Sequence, residues 1–497
     1  MMRTIVMVVA MVIFLCGRSS NGPVSLVSAD PIGPPNLSNC NPSGSECCLP
    51  SSTPSTFIAL NSSTPLRTRR ALQTVLQDAP YLARLNAAYA TLRRLERDAP
   101  NDPRGLEQQR KLHCAFCSEL VYGSEYNMHG NWFFLPWHRM LLYYHERILA
   151  WATGDASFAL PFWNWDSDAA AQKALPSSYA DTTSALYSAR RRAAADIQSM
   201  IQSEITGDQL FMNFGDVPES DSVIGTAGGN GNLETYGHNQ VHNAVGPNGS
   251  PDMGNLAWAG YDPVFYAHHA NVDRMWSVWR QLPGRSDPTS ADFRDSRFVF
   301  YDENATARII AVSFVLDHAT NLRYVYENVP NTWTTRAELG PSRTVAHNDV
   351  PGGPPLTVPQ TYRASATVSA EDPNVATAFV QSPDTTPRRG AIPELTLRNV
   401  AHSKGEPLAL YVFINQPDAG VNTPRAGNPR YIGARFLVAG GMSMPVSFTF
   451  PIRICLEGLN LSLSRNFTVQ VVRGVEFGAT KRPLSIQSID YVHDPQV

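Results

Sequence analysis

The sequence predicts a mainly α-helical domain, with a four-helix bundle at its centre, followed by an all-β sandwich domain. Apolar residues recur at helical spacing through much of the chain up to residue 280. From residue 298 onward, short runs typical of strands replace that pattern. A stretch rich in Pro, Gly and Thr between them is typical of a linker. The predicted boundaries are 1–29 for an N-terminal targeting segment, 30–334 for the helical domain, 335–362 for the linker and 363–497 for the β domain.

The predicted helices follow from apolar periodicity and from stop signals, after an extended segment at 30–60. The first helical stretch covers residues 65–99 and ends at the sequence Asp98-Ala99-Pro100, and Pro80 kinks it or splits it in two. The further predicted helices are 111–120, 135–152, 183–204, 233–243 and 263–280. The predicted strands are 298–301, 309–316 and 324–326 before the linker, and 395–400, 408–415, 435–438, 446–455 and 467–475 after it.

Composition excludes several classes of function. The chain has 497 residues, of which 43% are hydrophobic, which suits a globular protein of two or three domains. Its 40 Lys and Arg nearly balance 43 Asp and Glu, so no basic surface for nucleic acid is expected. The sequence shows no repeat at solenoid or propeller spacing and no apolar run of membrane-spanning length.

The N-terminus and the cysteines predict export through the secretory pathway. Arg3 precedes an apolar run at 5–16, as in a signal peptide, although an apolar strand or anchor is the alternative. Three of the six cysteines beyond this run lie in an early Pro/Ser-rich segment, where disulfides would replace packing. Glycosylation sequons point the same way. They lie at Asn36, Asn61, Asn248, Asn304, Asn460 and Asn466.

Histidines form the most informative pattern, because eight of the twelve lie between residues 113 and 269. His238 and His242 are four residues apart on a predicted helix, so both imidazoles project from one face. A histidine from the helix near Pro263 could complete a three-nitrogen site. A second group would combine His113 on a helix, His129 in a loop and His138 on the next helix. The pattern predicts two three-histidine metal sites, with scattered structural histidines as the alternative.

The kind of metal follows from the ligand type. Imidazole ligands without a carboxylate or thiolate suit copper, zinc, iron or nickel. The sequence contains no HExxH-like pattern, which disfavours a zinc hydrolase. A dinuclear imidazole site is therefore the hypothesis.

Three segments resemble the copper-binding regions of plant polyphenol oxidases, the type-3 copper catechol oxidases and tyrosinases. They are His-Cys-Ala-Phe-Cys at 113–117, His-Gly-Asn-Trp-Phe-Phe-Leu-Pro-Trp-His-Arg at 129–139, and Asp-Pro-Val-Phe-Tyr-Ala-His-His-Ala-Asn-Val-Asp-Arg-Met-Trp at 262–276. The likeness extends to the early cysteines, to 298–302 and 324–326, and more loosely into the β domain.

The resemblance implies two copper ions and their ligands. The family pattern places the last ligand seven positions after Asp262, which selects His269 and leaves His268 in the pocket wall. The first copper would be held by His113, His129 and His138, and the second by His238, His242 and His269. The family also implies a thioether between Cys117 and His129 and disulfides Cys40–Cys48 and Cys47–Cys114. Cys455 would then be unpaired, as a small buried apolar side chain.

The resemblance also implies roles around the coppers. Glu234, one helical turn before His238, would order a water for proton transfer, or else act only as a helix N-terminal carboxylate. Asn239 would help activate that water toward monophenols, and Asn243 would lie at the pocket edge. Leu256 stands where the family often has a bulky Phe, which gives a wider entrance.

The implied reaction is oxidation of ortho-diphenols to ortho-quinones with O2, with hydroxylation of monophenols as a further activity. The β domain would keep the enzyme latent until a protease cuts the linker. Many family members carry plastid transit peptides, but this N-terminus has no Ser/Arg-rich stretch, which favours the vacuole or the cell exterior. The alternatives are an oxygen carrier like the hemocyanins and an oxidase dedicated to one phenolic metabolite.

Overall fold

A computed structural model gives the fold of the chain. The predicted targeting segment, most of the predicted linker and Cys455 lie outside the residues that it describes, so the domain boundaries stay predictions. The described residues are 31–40, 46–60, 63–117, 121–122, 126–193, 197, 233–246, 251–282, 286–331, 334, 360–381, 394–403, 406–425, 428–439, 446–452, 466–474 and 483–493.

The first region is helical and the second is a β sandwich, which confirms the predicted fold class. A single turn of π-helix at Leu233–His238 precedes α7, and 3-10 turns lie at Asp252–Gly254 and Ala259–Tyr261. The helices are α1 Leu72–Val75, α2 Ala79–Asp98, α3 Leu106–Cys117, α4 Phe134–Thr153, α5 Ala170–Lys173, α6 Ser177–Ala180, α7 Asn239–Val245, α8 Pro263–Trp279, α9 Ala291–Arg294, α10 Val312–Val315 and α11 His318–Asn321.

Local chemistry explains where the long helices begin and end. Asp78 caps α2 by accepting a hydrogen bond from the Tyr81 backbone nitrogen at 2.9 Å, and Pro80 lies in the first turn, where a missing N–H costs nothing. Asp262 caps α8 in the same way and is followed by Pro263. α4 ends at Gly154, whose φ of 68° suits a residue without a side chain. The predicted stretch 65–99 is therefore split before Pro80.

α4 packs against α2 and α8, and α3 packs against α2 and the 3-10 turn Ala259–Tyr261. Their apolar side chains form one continuous buried core, which extends to β10 and β11 of the sandwich through Tyr411, Phe413 and Phe436. Among the described residues, none of the helices combines the length and the apolar character needed to cross a bilayer.

Two predicted elements differ from the structure in kind, and others differ in their ends: the helix predicted at 111–120 begins at Leu106, and the strand predicted at 435–438 begins at Tyr431. The described part of the predicted helix 183–204 is irregular up to residue 193, because its side chains bond to distant loops instead of to its own turns. The predicted strand 309–316 is a strand only to Ala311 and continues as α10.

The sandwich consists of a five-stranded sheet, β11-β10-β13-β8-β7, and a four-stranded sheet, β12-β9-β14-β6, which enclose their own apolar core. All described pairs in these two sheets are antiparallel. Two smaller sheets, β1-β4-β3 and β2-β5, belong to the helical region. The strands are β1 Ser55–Thr56, β2 Arg67–Arg69, β3 Arg297–Tyr301, β4 Ala307–Ala311, β5 Tyr324–Tyr326, β6 Gln360–Ala364, β7 Ala366–Val368, β8 Val375–Val380, β9 Glu394–Val400, β10 Leu408–Ile414, β11 Tyr431–Leu437, β12 Val446–Pro451, β13 Phe467–Arg473 and β14 Ser488–His493.

Candidate metal centre

Seven histidines converge in the core of the helical region, all of them buried. α3 supplies His113, the loop before α4 supplies His129, and α4 supplies His138. The other four come from the π-turn with α7 and from α8. Their potential ligand atoms form two groups, each with all members within 4.8 Å of one another: His113, Cys117, His129 and His138, and His238, His242, His268 and His269.

Backbone carbonyls orient two rings of the first group. The Nδ1 of His113 lies 2.9 Å from the Leu256 oxygen, and the Nδ1 of His138 lies 2.7 Å from the Phe134 oxygen. Because a carbonyl can only accept, each Nδ1 carries the proton and each Nε2 keeps its lone pair. Within the described part of the chain, the Nε2 of His113 and both ring nitrogens of His129 have no hydrogen-bond partner.

The second group is oriented in the same manner. The Nδ1 of His242 lies 2.9 Å from the Met253 oxygen, and that of His238 lies 2.8 Å from Oδ1 of Asn239. Their Nε2 lone pairs both point at the Nε2 of His269, at 3.2 and 3.4 Å. A single proton on His269 can satisfy only one of these two lone pairs. More ring-nitrogen lone pairs than protons therefore meet at this point, as a buried cation site requires.

Burial makes these side chains good metal ligands. Loss of hydration lowers the pKa of all seven imidazoles, that of His138 to about 3 and that of His242 to about 4. They are therefore neutral at pH 7, the form that binds metal. Two groups of neutral imidazoles, four of them oriented through Nδ1, fit a pair of copper ions.

His269 and His268 occupy different places in the centre. The His269 ring stacks on His138 of the first group, with centroids 4.4 Å apart, so it lies between the two groups. The His268 ring stacks on His238 at 5.3 Å and packs near Trp165. The choice of His269 as the ligand stays a prediction, which this placement favours.

Cysteines lie beside the first histidine group. The Sγ of Cys117, a free buried thiol, lies 3.8 Å from the Nε2 of His138, and its partnership with His129 stays a prediction. Disulfides join Cys40 to Cys48 and Cys47 to Cys114, so the N-terminal segment is covalently attached to α3 beside the histidines.

Glu234 and Asn239 line a cavity of about 30 Å³ beside His129, whereas the predicted pocket residues Asn243 and His268 do not line it. The backbone N–H of Gly130 donates to the Glu234 carboxylate at 3.0 Å. The side-chain nitrogens of Asn239 and Asn243 donate to carbonyls of the β domain, Phe436 at 2.7 Å and Leu437 at 3.1 Å. Leu256 also lines the cavity.

Sequence reasoning missed the residues that the β domain contributes. The same cavity is lined by four residues that follow Leu256 by more than 130 positions in the sequence: His402, Leu437, Val438 and Val446. A contact of this kind depends on how two domains dock, and neither periodicity nor a local motif signals it.

Comparisons with known proteins give consistent results. The family model "Common central domain of tyrosinase" matches residues 103–224 and 188–282, and "Polyphenol oxidase middle domain" matches 287–338. The latent-form polyphenol oxidase of Prunus armeniaca is 38% identical over 348 residues, which are 61% of this chain and 57% of that protein. The chain thus spans less than two thirds of this relative.

Solved structures that resemble this chain include plant polyphenol oxidases as well. The crystal structure of Grenache (Vitis vinifera) polyphenol oxidase is 33% identical, covers 61% of this chain and 99% of its own, and has a TM-score of 0.53. The structure of latent apple tyrosinase is 26% identical, covers 89% of this chain and all of its own, and has a TM-score of 0.66.

The predicted secretory localisation is wrong. The Prunus relative is named chloroplastic, as are polyphenol oxidases of Malus domestica and Vitis vinifera, and these names point to the plastid. The prediction used only the basic residue and the length and hydrophobicity of the apolar run. The compartment depends instead on the receptor that recognises the targeting segment. Disulfides and sequons add little, because neither specifies a route.

Proposed function

This chain belongs to the plant polyphenol oxidase family, and we propose that it oxidises ortho-diphenols to ortho-quinones with O2. Two diphenols would give two quinones while one O2 becomes two waters. The observation that carries this proposal is the pair of buried histidine groups, in which there are fewer protons than ring-nitrogen lone pairs to accept them. From the names of its relatives, we place its action in the plastid.

The ligand assignment is part of the proposal. His113, His129 and His138 would hold one copper, and His238, His242 and His269 the other. The bound pair supplies the one-electron chemistry at each ion that lets O2 accept two electrons from a diphenol. The chain fixes the rings through backbone carbonyls, excludes bulk water by burial, and holds the ligand loop through Cys117, proposed to be bonded to His129.

Proton handling is assigned to Glu234 and Asn239, which line the cavity beside His129. In the closed structure Glu234 accepts from Gly130, and the Asn239 nitrogen is occupied by the Phe436 carbonyl. Glu234 would accept the phenol proton through an ordered water, and the Asn239 nitrogen would become available to that water only when the β domain has moved away. The same oxygen-uptake assay with tyramine in place of catechol tests the finer proposal that monophenols are hydroxylated too.

Latency is the second part of the proposal. Carbonyl oxygens at the end of β11 and just after it accept hydrogen bonds from the side chains of Asn239 and Asn243. The Ala439 oxygen accepts a further one from the Leu256 backbone nitrogen at 3.0 Å. The cavity left beneath holds about one or two waters and no phenol ring. We assign the blocking position to Val438, which lines this cavity. A protease that cuts the predicted linker at 335–362 would be the activating partner.

The test is copper content together with catechol-dependent oxygen uptake after limited proteolysis. His269→Ala should lose one of two coppers and at least 100-fold of the uptake. His145→Gln is the matched control, because this buried histidine bonds to Tyr89 and Gln109 and belongs to neither group. Equal copper content and uptake in the two variants would contradict the assignment.

A further inference from the structure

One short loop contacts both histidine groups. We name residues 252–256 the anchor loop, which begins with the 3-10 turn Asp252–Gly254. Its Leu256 oxygen binds the Nδ1 of His113, and its Met253 oxygen binds the Nδ1 of His242, each at 2.9 Å. The proposed ligands of two different coppers thus take their ring orientation from carbonyls three residues apart.

The shape of the anchor loop depends on the Asp252 side chain. Asp252 has a φ of 68°, a left-handed conformation that a residue with a side chain adopts rarely. Its carboxylate is buried and accepts a hydrogen bond from the Ser188 hydroxyl, while Arg190 lies 3.5 Å away at its other oxygen. A buried carboxylate needs such partners to stay in place.

The segment 188–191 that holds Asp252 also holds the helix of His269. Arg191 binds both oxygens of Asp262, at 2.6 and 2.7 Å, and Asp262 caps α8 through the Val264 backbone nitrogen at 3.0 Å. The segment therefore holds both the anchor loop, through Asp252, and the start of α8, through Asp262. Ser188 is the member whose hydroxyl can be removed with little change in volume or charge.

We propose that Ser188 is a positioning residue for both coppers: by holding Asp252, it keeps the anchor loop where its carbonyls orient His113 and His242. This inference rests on the proposed dicopper function. Removing a group that orients a ligand typically lowers metal affinity about 10- to 100-fold. Loss of the hydroxyl should therefore loosen both sites together, although Ser188 is no ligand itself.

The experiment measures copper loss from the full-length, copper-loaded protein to an excess of a strong chelator. Ser188→Ala should lose both coppers about tenfold faster than the wild type. Ser184→Ala is the matched control, because this serine four residues earlier also donates to a side chain, Asn86 at 2.9 Å, but does not contact the anchor loop. Ser188→Thr keeps the hydroxyl and should retain copper like the wild type.

The outcomes separate the inference from the proposed function. A Ser188→Ala protein that keeps its coppers like Ser184→Ala, or releases only one of them faster, overturns the inference. If Ser188→Ala does not fold, Ser188→Thr decides: a Ser188→Thr protein that loses both coppers about tenfold faster than the wild type also overturns the inference. A wild-type chain that takes up no copper contradicts the proposed function and this inference with it.

Discussion

At the scale of single residues, the buried carboxylate of Asp273 on α8 collects four polar side chains. Its carboxylate accepts hydrogen bonds from Arg139 at 2.5 Å, Arg69 at 3.2 Å and the Tyr324 and Tyr326 hydroxyls. Burial alone would raise its pKa, but the two guanidinium groups outweigh burial and lower the pKa to about 2. The carboxylate thus joins α4 and α8, which carry His138 and His269, to strands β2 and β5.

Asp273→Asn should destabilise the protein by about 3–5 kcal/mol, because it leaves Arg69 and Arg139 buried without their counter-charge. The folded pKa of Asp273 lies below its unfolded value of about 3.9, so its contribution to stability is complete above pH 4 and is lost as the pH falls toward 2. Urea unfolding across this pH range should therefore show that the free energy of unfolding falls less steeply with acid in the variant than in the wild type. Asp98→Asn, which breaks an exposed pair with Arg94, should cost less than about 1 kcal/mol, and an equal cost would refute the argument.

At the scale of elements, the anchor loop packs backbone to backbone against the end of α7. A side chain added at Gly246 would place its Cβ 1.9 Å from the Gly254 backbone nitrogen. No flexible side chain can yield there, so one of the two backbones must move. The contact explains how α7, with His242, and the anchor loop, with the carbonyl that binds His242, stay in register.

Gly246→Ala should push the anchor loop away from α7 and so lower the copper content. It should also lower the free energy of unfolding by about 1–3 kcal/mol. Gly33→Ala is the control, since nothing lies within 4 Å of its added Cβ. Copper per chain and the thermal midpoint are the readouts. A Gly246→Ala protein with two coppers and an unchanged thermal midpoint would show that this contact does not hold the anchor loop against α7.

The sequence predicts elements well where their determinants are local. α3, α4 and α8 follow from periodicity and caps, and the spacing of His238 and His242 places both on one face. The helix predicted at 183–204 fails in its described part because Ser188 and Arg191 bond to Asp252 and Asp262, more than sixty residues away. Strands β6, β8 and β14 were not predicted, since they follow or adjoin Pro/Gly/Thr-rich sequence that masks their alternation.

For the whole molecule, the order of a helical domain and a β sandwich follows from the sequence, but their docking does not. The β domain reaches the centre through the backbone carbonyls of Phe436, Leu437 and Ala439 and through Val438, which lines the cavity beside His129. A backbone carbonyl carries no sequence signal. The anchor loop bonds to Ala439 on one side and to the histidines on the other. The contact with the β domain and the carbonyls that orient His113 and His242 therefore lie on the same loop.

The most direct test compares catechol-dependent oxygen uptake of the copper-loaded protein before and after limited proteolysis between residues 335 and 359. The account predicts two coppers per chain in both states, little uptake by the intact chain, and at least a tenfold rise once the β domain is released. Equal, substantial uptake by the intact and the cleaved protein would contradict the closure by 436–439. Two coppers with no uptake in either state would contradict the phenol oxidase itself.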